Sequence, residues 1–530
     1  MPDSTEERYY LGIDLGTSSC KTVLADRDGN IVSRSANGYP LIIGPGGSAE
    51  QSPEAWWQSI VLGIREVCAK VDPNSVRAMG VTGQWSGTVP VDSDGKALHN
   101  AVIWMDTRGR EQIRELISGF PSVSGYRIDK LMRWIRLTGG APARSGKDSL
   151  AHILYIRERL PEIYSRTFKF LEPKDYIVFR LTGKFLASWD NVTLTWATDN
   201  RNASEVHYHK KLLETNGLEA IKLPDLVPSN HVVGDLTAQS AEEIGLPRSV
   251  RIVSGCGDIQ SSLLGAGVVD DYRIHLYLGT SSWITAHVPF KKTDIFHSIA
   301  SLPSAIPGKY FIPAEQENAG NCLEYVMKLT GLDGAGGYKV VDELCAGSEP
   351  GANGLLFLPW LYGERAPVED PYLRGGFFNL GLQNSKGDLI RSVLEGIALN
   401  SRWLFESVVR FVGHAPDYVT MSGGGALSAV WPKIISDVLG IEVRVVEDPV
   451  YSGVRGAAML AAWGSGDIEI NAFGKLGRYV RTYVPDRNLA TVYFNAFGTF
   501  KKYYVENRKT MRKYNSGDDR TSSKNKGNRN

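Results

Sequence analysis

One short sequence occurs twice in this chain, about half a chain apart, and it constrains the fold more than any other feature. Leu-Gly-Thr-Ser-Ser occupies residues 15–19 and again residues 278–282. Each copy follows a run of strand-forming residues and leads into another such run, which predicts two strand–turn–strand units. Because internal repeats set architecture, we expect two related domains whose turns face each other.

The two turns are rich in hydrogen-bond donors and lack large side chains. Gly16 lets the backbone turn sharply and expose its N–H groups, and Thr17 and Ser18 add hydroxyl donors, a combination that suits an anionic phosphate. Asp14 precedes the first turn, where a buried carboxylate is costly unless a cation or a donor meets it. Taken alone, residues 10–24 fit an ordinary hairpin with Asp14 as a turn residue. The second copy favours two turns that grip one polyphosphate.

Size and composition limit the classes of protein to which the chain can belong. At 530 residues it is too long for one ordinary core, so two large domains are expected. A net charge of +1 gives no reason to expect nucleic acid or an anionic membrane as a partner. The five cysteines show no CxxC spacing, which argues against a disulfide framework or a zinc site and fits a reducing compartment. Without a secretory signal or a long apolar stretch, the sequence predicts a cytoplasmic protein with no membrane partner.

The order of predicted elements is α/β and places a domain boundary near residue 255. Apolar strands predominate up to residue 81, and helical patterns follow at residues 108–118, 147–160, 174–182 and 210–216. We therefore predict a first domain over residues 1–255 and a second over residues 256–490 that repeats the plan. Residues 506–530 have no apolar period and are rich in Lys and Arg, which predicts a disordered basic tail.

Two further stretches are candidates for chemistry. Asp258 follows a predicted strand and is surrounded by small residues, which leave room for a substrate hydroxyl to reach its carboxylate. The same residue also fits the N-cap of a helix over residues 259–265, and the sequence leaves both interpretations open. The glycines of residues 423–425 follow another strand and would let a flat ring or a phosphate lie against the backbone, although a plain turn also uses glycine.

A series of motifs accompanies these features in a fixed order. They are Gly-Ile-Asp-Leu-Gly-Thr at 12–17, Ile-Trp-Met-Asp-Thr-Arg at 103–108, Leu-Glu-Pro-Lys-Asp-Tyr at 171–176, Gly-Cys-Gly-Asp at 255–258, Pro-Trp-Leu-Tyr-Gly-Glu-Arg-Ala-Pro at 359–367, Asp-Leu-Ile-Arg-Ser-Val-Leu-Glu-Gly at 388–396 and Ser-Gly-Gly-Gly-Ala at 422–426. In this order and spacing the chain resembles the FGGY family of carbohydrate kinases, within the actin/hexokinase/chaperone ATPase superfamily. The resemblance covers about residues 9–485 and is strongest to the xylulokinase subgroup, chiefly through Gly-Glu-Arg-Ala-Pro and Pro-Lys-Asp-Tyr.

The resemblance implies two ribonuclease-H-like domains, of the actin/hexokinase ATPase type, that flank a central cleft. Such kinases transfer the γ-phosphate of ATP to a hydroxyl of a sugar or polyol, so ATP and Mg²⁺ are the implied cofactors. Asp258 matches the catalytic base, and the metal site would comprise Asp14 with Asp258. The residues that match the nucleotide site are Gly16, Thr17, Ser18, Lys21, Gly279, Thr280, Ser281, Gly423, Gly424, Gly425 and Ala426.

The first domain is implied to supply the sugar pocket. Its matching residues are Gln84, Trp85, Ser86, Trp104 and Asp106, together with Asp258. Xylulokinases carry Met-His where this chain has Trp85-Ser86, and Asn or Gln where it has Ile259. Each change replaces a hydroxyl partner by bulk or apolar surface, and an unpaired sugar hydroxyl costs about 1–3 kcal/mol.

The predicted activity is therefore phosphorylation of a pentulose similar to D-xylulose, giving D-xylulose 5-phosphate and ADP. The altered pocket leaves open a kinase for another ketose or polyol, of the ribulose, glycerol or erythritol type. A non-catalytic nucleotide-binding switch is the alternative from another class, but a kinase without its base should lack an acid at position 14 or 258, and both are present. The expected partner is a small sugar or polyol, and the resemblance also suggests a homodimer.

Overall fold

The computed structural model describes residues 7–516, and two large mixed β-sheets dominate it. The strands of the first sheet, in spatial order, are Val232–Asp235, Arg251–Gly257, Val76–Gly83, Tyr9–Leu15, Ser19–Ala25 and Ile31–Gly38. Its strand Tyr9–Leu15 pairs antiparallel with the next strand of the chain and parallel with Val76–Gly83. The predicted strand–turn–strand unit at the start of the chain is thus confirmed.

The second sheet repeats the plan of the first. Its strands, in spatial order, are Leu302–Pro303, Tyr310–Gln316, Ser282–Val288, Ile274–Leu278, Tyr418–Ser422, Glu442–Val446 and Tyr479–Tyr483. Here too the strand before the repeated turn pairs antiparallel with its successor and parallel with a later strand, Tyr418–Ser422. Both sheets therefore contain three antiparallel strands continued by two parallel ones, with further strands at the sheet edges. The duplicated α/β architecture predicted from the repeat is confirmed.

Helices cover both sheets. The α-helices are Pro53–Cys68, Arg110–Ile117, Ile128–Thr138, Ser149–Arg159, Pro161–Arg166, Pro173–Thr182, Lys210–Asn216, Ala238–Ile244, Asp258–Gly265, Gly320–Leu329, Gly337–Ala346, Lys386–Val412, Trp431–Leu439, Ser452–Gly464 and Ala490–Asn515. The four helical regions predicted between residues 108 and 216 are all present. Within residues 7–516, no helix is both long enough and apolar enough to cross a membrane. All five cysteines are free.

Short strands complete the structure around the two sheets. A three-stranded sheet contains Ile42–Ile43, Ala49–Gln51 and Ala101–Val102. The two-stranded pairs are Ser122–Val123 with Tyr126–Arg127, Val89–Val91 with Lys169–Leu171, Leu186–Ser188 with Asp225–Val227, Thr198–Asp199 with His207–Tyr208, Thr293–Asp294 with Ile299–Ala300, and Leu356–Leu358 with Gly376–Phe378.

Helix Ser452–Gly464 joins the two halves, although it lies in the chain between two strands of the second sheet, Glu442–Val446 and Tyr479–Tyr483. It packs on the first sheet, and a Cβ on Gly12 would lie 2.1 Å from the carbonyl oxygen of Val454. It also crosses helix Asp258–Gly265, where a Cβ on Gly456 would lie 2.0 Å from the carbonyl oxygen of Ser261. Glycine at both positions allows backbone to contact backbone. The predicted boundary at residues 255/256 stays a prediction, since the first sheet ends at Gly257 and the second begins at Ile274.

The C-terminal helix corrects part of the predicted tail. Residues 506–515 continue the helix Ala490–Asn515 instead of being disordered, and residues 517–530 lie outside the described part of the chain. The helix buries Tyr493, Phe497, Phe500 and Tyr504, which recur at helical spacing. Its aromatic rings pack against Trp360 and Trp403 of the second half. The helix up to Tyr504 is therefore part of the core of the second half, and residues 506–515 extend it at the surface.

Candidate active site

The carboxyl ends of three parallel strands meet at one edge of the first sheet. Leu15 is in register with Gly83, and Gly83 is in register with Gly257. Asp14 lies on the first of these strands, and Asp258 follows the last one directly. Helix Asp258–Gly265 begins at Asp258 and takes Gly257 as its N-cap, so the proposed N-cap role of Asp258 is wrong. The two carboxylates are thereby brought to the same edge of the sheet.

The negative charge of Asp14 acts on Asp258 at this edge of the sheet. Burial, followed by the negative charges of Asp14 and Glu315, raises the pKa of Asp258 to about 8. Burial also raises the pKa of Asp14, while the ammonium of Lys21 counteracts that shift. A buried carboxylate whose pKa is raised by the charge of a second carboxylate forms with it a site to which a cation is attracted.

This carboxylate pair suits a magnesium ion that keeps most of its own waters. Within residues 7–516, no three His, Cys, Asp or Glu side chains converge on a point that could hold a metal ion. Mg²⁺ is commonly held by only one or two carboxylates together with water and substrate phosphates. The donor set of Asp14 and Asp258 therefore fits Mg²⁺ better than a metal that needs a full protein cage.

The first repeated turn is held rigidly by side chains behind it. The Gly16 N–H donates to the Ser19 carbonyl at 3.1 Å, and the Tyr39 hydroxyl donates to the Gly16 carbonyl. The backbone carbonyl of Thr17 accepts a hydrogen bond from the side-chain amide of Gln51 at 2.5 Å. These bonds occupy the inward-facing carbonyls and leave the exposed Ser18 at the tip of the turn. Residues 16–18 thus have the fixed geometry expected of an anion-binding turn.

The second turn follows Tyr277, which occupies the place in the repeat that Asp14 has in the first copy. The charges of Asp14 and Asp258 both raise the pKa of the Tyr277 phenol, after burial as the largest cause. Tyr277 therefore faces the same two carboxylates from the opposite half of the molecule. In the turn itself the Gly279 N–H donates to the Ser281 carbonyl at 2.9 Å, and Thr280 is exposed.

The glycine-rich segment lies directly beside the second turn. Gly423 has a φ of +92°, and a Cβ there would lie 2.4 Å from the carbonyl oxygen of Leu278. Gly424 is exposed, whereas Gly425 also contacts Leu278 closely and Ala426 is buried. The predicted nucleotide residues of the second half are thus neighbours, and glycine at position 423 is required by both its backbone angle and its packing.

The predicted sugar residues divide into those at the cleft and those that form its frame. Trp104 donates from Nε1 to the Thr17 hydroxyl at 3.0 Å, which links the pocket to the first turn. Asp106 is fully buried, and its carboxylate accepts from the Ala49 N–H and from Arg108. The structure thus places Asp106 in the supporting frame of the pocket and not on its surface.

Residues 84–86 also have protein partners. Gln84 donates to Gln51 Oε1 at 2.7 Å, whereas its own buried Oε1 accepts no hydrogen bond from the described residues. Trp85 Nε1 donates to the carbonyl of Asn191 at 2.7 Å. The Ser86 hydroxyl donates to the Lys147 carbonyl at 2.6 Å, and this hydrogen bond holds the neighbouring loop that contains Lys147.

An apolar wall lies beside the candidate base. Ile259 is buried in a cluster with Trp283 and Phe311 from the second half, and Trp85 packs against that cluster from the first. The rings of Tyr277 and Trp283 stack, with centroids 4.0 Å apart. Ile259, which stands where xylulokinases carry Asn or Gln, therefore packs at the contact between the two halves.

Four charged residues that are not among the predicted site residues form a cluster of ion pairs that joins the two halves. Lys147 of the first half lies 3.7 Å from Glu317 of the second, measured from Nζ to Oε1. Arg365 binds Glu317 at 3.0 Å and also contacts Glu315. Only Arg365 had a sequence signal, because it lies within the Gly-Glu-Arg-Ala-Pro motif.

Two sheets of one plan, with donor-rich turns and a carboxylate pair at their facing edges, define a two-domain phosphotransferase of the actin/hexokinase type. Two family models match the chain, the N-terminal domain of the FGGY family of carbohydrate kinases over residues 9–265 and its C-terminal domain over residues 275–465. The chain belongs to the FGGY family of carbohydrate kinases. It is accordingly a phosphotransferase, and kinases of this family use ATP.

Individual relatives agree with this assignment. The xylulose kinase of Staphylococcus epidermidis is 30% identical over 506 residues, which cover 94% of this chain and 97% of that protein. The crystal structure of ligand-bound xylulose kinase from Lactobacillus acidophilus has a TM-score of 0.85 at 23% identity, covering 96% of this chain and all of that one. Gluconate kinase from the same organism gives a TM-score of 0.84, also at 23% identity and with the same coverage. The two structures share the fold with this chain.

Proposed function

We propose that this kinase phosphorylates D-xylulose or a closely similar pentulose, using ATP and Mg²⁺, and forms the 5-phosphate and ADP. The observation that carries the proposal is the pairing of Asp14 with Asp258 at an edge where two copies of one donor-rich turn are available. A xylulose kinase at 30% identity over nearly the whole chain supports this choice of sugar.

Asp258 has the properties of the general base. A carboxylate whose pKa is raised to about 8 is a much stronger base than an ordinary aspartate. It would take the proton of the attacking sugar hydroxyl while the new oxygen–phosphorus bond forms. The bond from the γ-phosphorus to the β–γ bridging oxygen breaks, and ADP leaves. Phosphoryl transfer of this kind depends on positioning and charge stabilisation more than on covalent chemistry.

The remaining residues would bind and orient the nucleotide. Residues 16–18 and 279–281 would donate to the phosphates, Lys21 would add positive charge, and residues 423–426 would face the adenosine. Asp14, with Asp258 beside it, would hold Mg²⁺, which neutralises phosphate charge when bound. Closure of the cleft excludes water and so favours transfer to the sugar over hydrolysis of ATP.

Charge in the pocket favours a neutral sugar over an aldonate such as gluconate. The cations Lys147 and Arg365 are paired with Glu317 and Glu315, and the carboxylate of Asp258 is near them. A carboxylate on the substrate would add a further negative charge beside Glu315, Glu317 and Asp258. Like charges that are brought close together disfavour binding.

The proposal is tested by ADP release from ATP over a panel of sugars that contains D-xylulose, L-xylulose, D-ribulose, glycerol, erythritol and gluconate. We expect the highest kcat/KM for a pentulose and no saturable turnover of gluconate. If gluconate or glycerol were preferred, the assigned substrate would be wrong.

The role of Asp258 is tested separately. Asp258→Asn should lower kcat about 10²- to 10⁴-fold while ATP still binds, because a general base contributes about that much. Asp417→Asn, at a carboxylate that is 85% exposed, is the matched control and should leave kcat unchanged. Near-normal turnover by the Asp258 variant would refute the assignment of the base.

A further inference from the structure

Lys147 is held in a fixed position on the first half of the cleft. It follows Gly146, whose φ of +75° closes a tight turn, and its carbonyl accepts from the Ser86 hydroxyl at 2.6 Å. The next residue, Asp148, is buried and accepts from the Ala143 N–H and from Trp196 Nε1. The backbone at Lys147 is therefore fixed on both sides, and only its side chain extends toward the other half.

The opposite half presents an equally fixed carboxylate. Arg365 donates to Glu317 Oε1 from Nε at 3.2 Å and from Nη2 at 3.0 Å. The buried carboxylate of Glu364 accepts from the backbone N–H of both Glu317 and Arg365, at 3.1 and 2.9 Å. Glu317 is thereby held ready for a cation that approaches from across the cleft.

The ammonium of Lys147 lies at the sugar end of the site. It is 5.7 Å from the ring centroid of Trp104, the residue that donates to Thr17 of the first turn. The Nζ to Glu317 distance of 3.7 Å exceeds that of a direct hydrogen bond, so this pairing leaves the ammonium donors available. Burial lowers the pKa of Lys147, and the charge of Glu317 counteracts the shift. The arrangement leaves a charged donor facing the pocket with its countercharge on the other domain.

We propose that Lys147 is a specificity-determining residue that donates to a hydroxyl of the sugar, and that Glu317, on the other side of the cleft, supplies its countercharge. The proposal rests on the proposed function, because it places both residues at the same sugar site. Ser86 is then a positioning residue, which acts on the sugar through the backbone of Lys147.

The test compares Lys147→Met, Glu317→Gln, their double variant and Lys339→Met, a control at an 84% exposed lysine. The sugar is the best substrate of the panel. Loss of a charge-assisted hydrogen bond should raise the sugar KM of Lys147→Met about 10- to 100-fold, with the KM for ATP within about twofold of wild type. The double variant should be no worse than Lys147→Met, because the pair acts as a unit. Thermal unfolding confirms that each variant is folded, and Lys147→Gln replaces Lys147→Met if the latter is not.

Two results would overturn the proposal. One is an unchanged sugar KM in a folded Lys147 variant, and the other is a double variant whose effect equals the product of the two single effects. Should wild type turn over none of the sugars, the proposed substrate class is wrong, and the cross-domain pair is then tested by small-angle scattering of the sugar-free protein. Either single variant should increase the radius of gyration and the double variant should increase it no further; no increase in any variant would refute the pairing.

Discussion

Mild acid should destabilise this protein through three fully buried histidines. His275 lies in the second sheet, with Nε2 2.8 Å from the Ser422 hydroxyl and Nδ1 3.2 Å from the Thr285 hydroxyl. Burial lowers the pKa of His275 and of His287 to about 3, and that of His152 to about 4. All three side chains are therefore neutral in the folded protein at any pH near neutrality.

The size of the effect follows from the difference in proton binding between the two states. An unfolded histidine, with a pKa of about 6.5, gains a proton as the pH falls, while the buried one does not. The unfolded state then binds more protons, so the free energy of unfolding falls as the pH drops below about 6.5. Between about pH 7 and about pH 5.5 each histidine removes about 1.3 kcal/mol, or about 4 kcal/mol for the three.

Urea denaturation at the two pH values measures this loss. His275→Gln should reduce the loss by about 1.3 kcal/mol, because glutamine does not titrate. His207→Gln, at an exposed histidine, is the control and should preserve the full loss. If His275→Gln showed the same loss as wild type, the buried neutral state of that imidazole would be refuted.

Three further predictions concern packing and the cofactor. Gly456→Ala places a Cβ against the Ser261 carbonyl and should lower the free energy of unfolding by about 1–3 kcal/mol, measured by urea denaturation. Gly498→Ala, in open space on the C-terminal helix, should instead raise the free energy of unfolding by about 0.5–1 kcal/mol. Equal effects of the two substitutions would contradict the close helix crossing. Phe500→Ala should cost about 3–5 kcal/mol, and a loss within experimental error would show that the C-terminal helix does not belong to the core. Removal of divalent cations by a chelator should abolish sugar-dependent ADP release, and added Mg²⁺ should restore it; turnover that survives would argue against a metal at Asp14 and Asp258.

The sequence predicts those parts of the site that are encoded locally. The strand before residue 15, the donor-rich turn and the repeat at residues 278–282 are each visible within a few residues, so their placement at sheet edges could be inferred. The same holds for Asp258, because a strand end flanked by small residues is a local pattern. Asn379 illustrates the point too, since asparagine tolerates left-handed backbone and the residue has a φ of +66°.

Features that depend on contacts between distant residues could not be inferred in this way. Lys147 and Glu317 are 170 positions apart, and neither lies in a motif that indicates the other. By its position in the sequence Asp106 is a candidate pocket residue, yet its carboxylate accepts hydrogen bonds from Arg108 and from the backbone N–H of Ala49. The end of the chain is polar beyond residue 506, but the helix continues because its earlier turns are anchored by aromatic packing. Only the tertiary structure reveals such pairings.

The helix Ala490–Asn515 also clamps the segment that carries Arg365. Phe500 packs on Trp360, a few residues before Arg365, with ring centroids 4.9 Å apart. On the far side, Asn515 donates to the Tyr372 carbonyl at 2.9 Å. Recombinant forms shortened within this helix would therefore lose packing that positions Arg365 and its partners Glu315 and Glu317. A purification tag fused close to residue 515 would disturb the same packing. Substrate preferences measured on such forms would describe an altered enzyme.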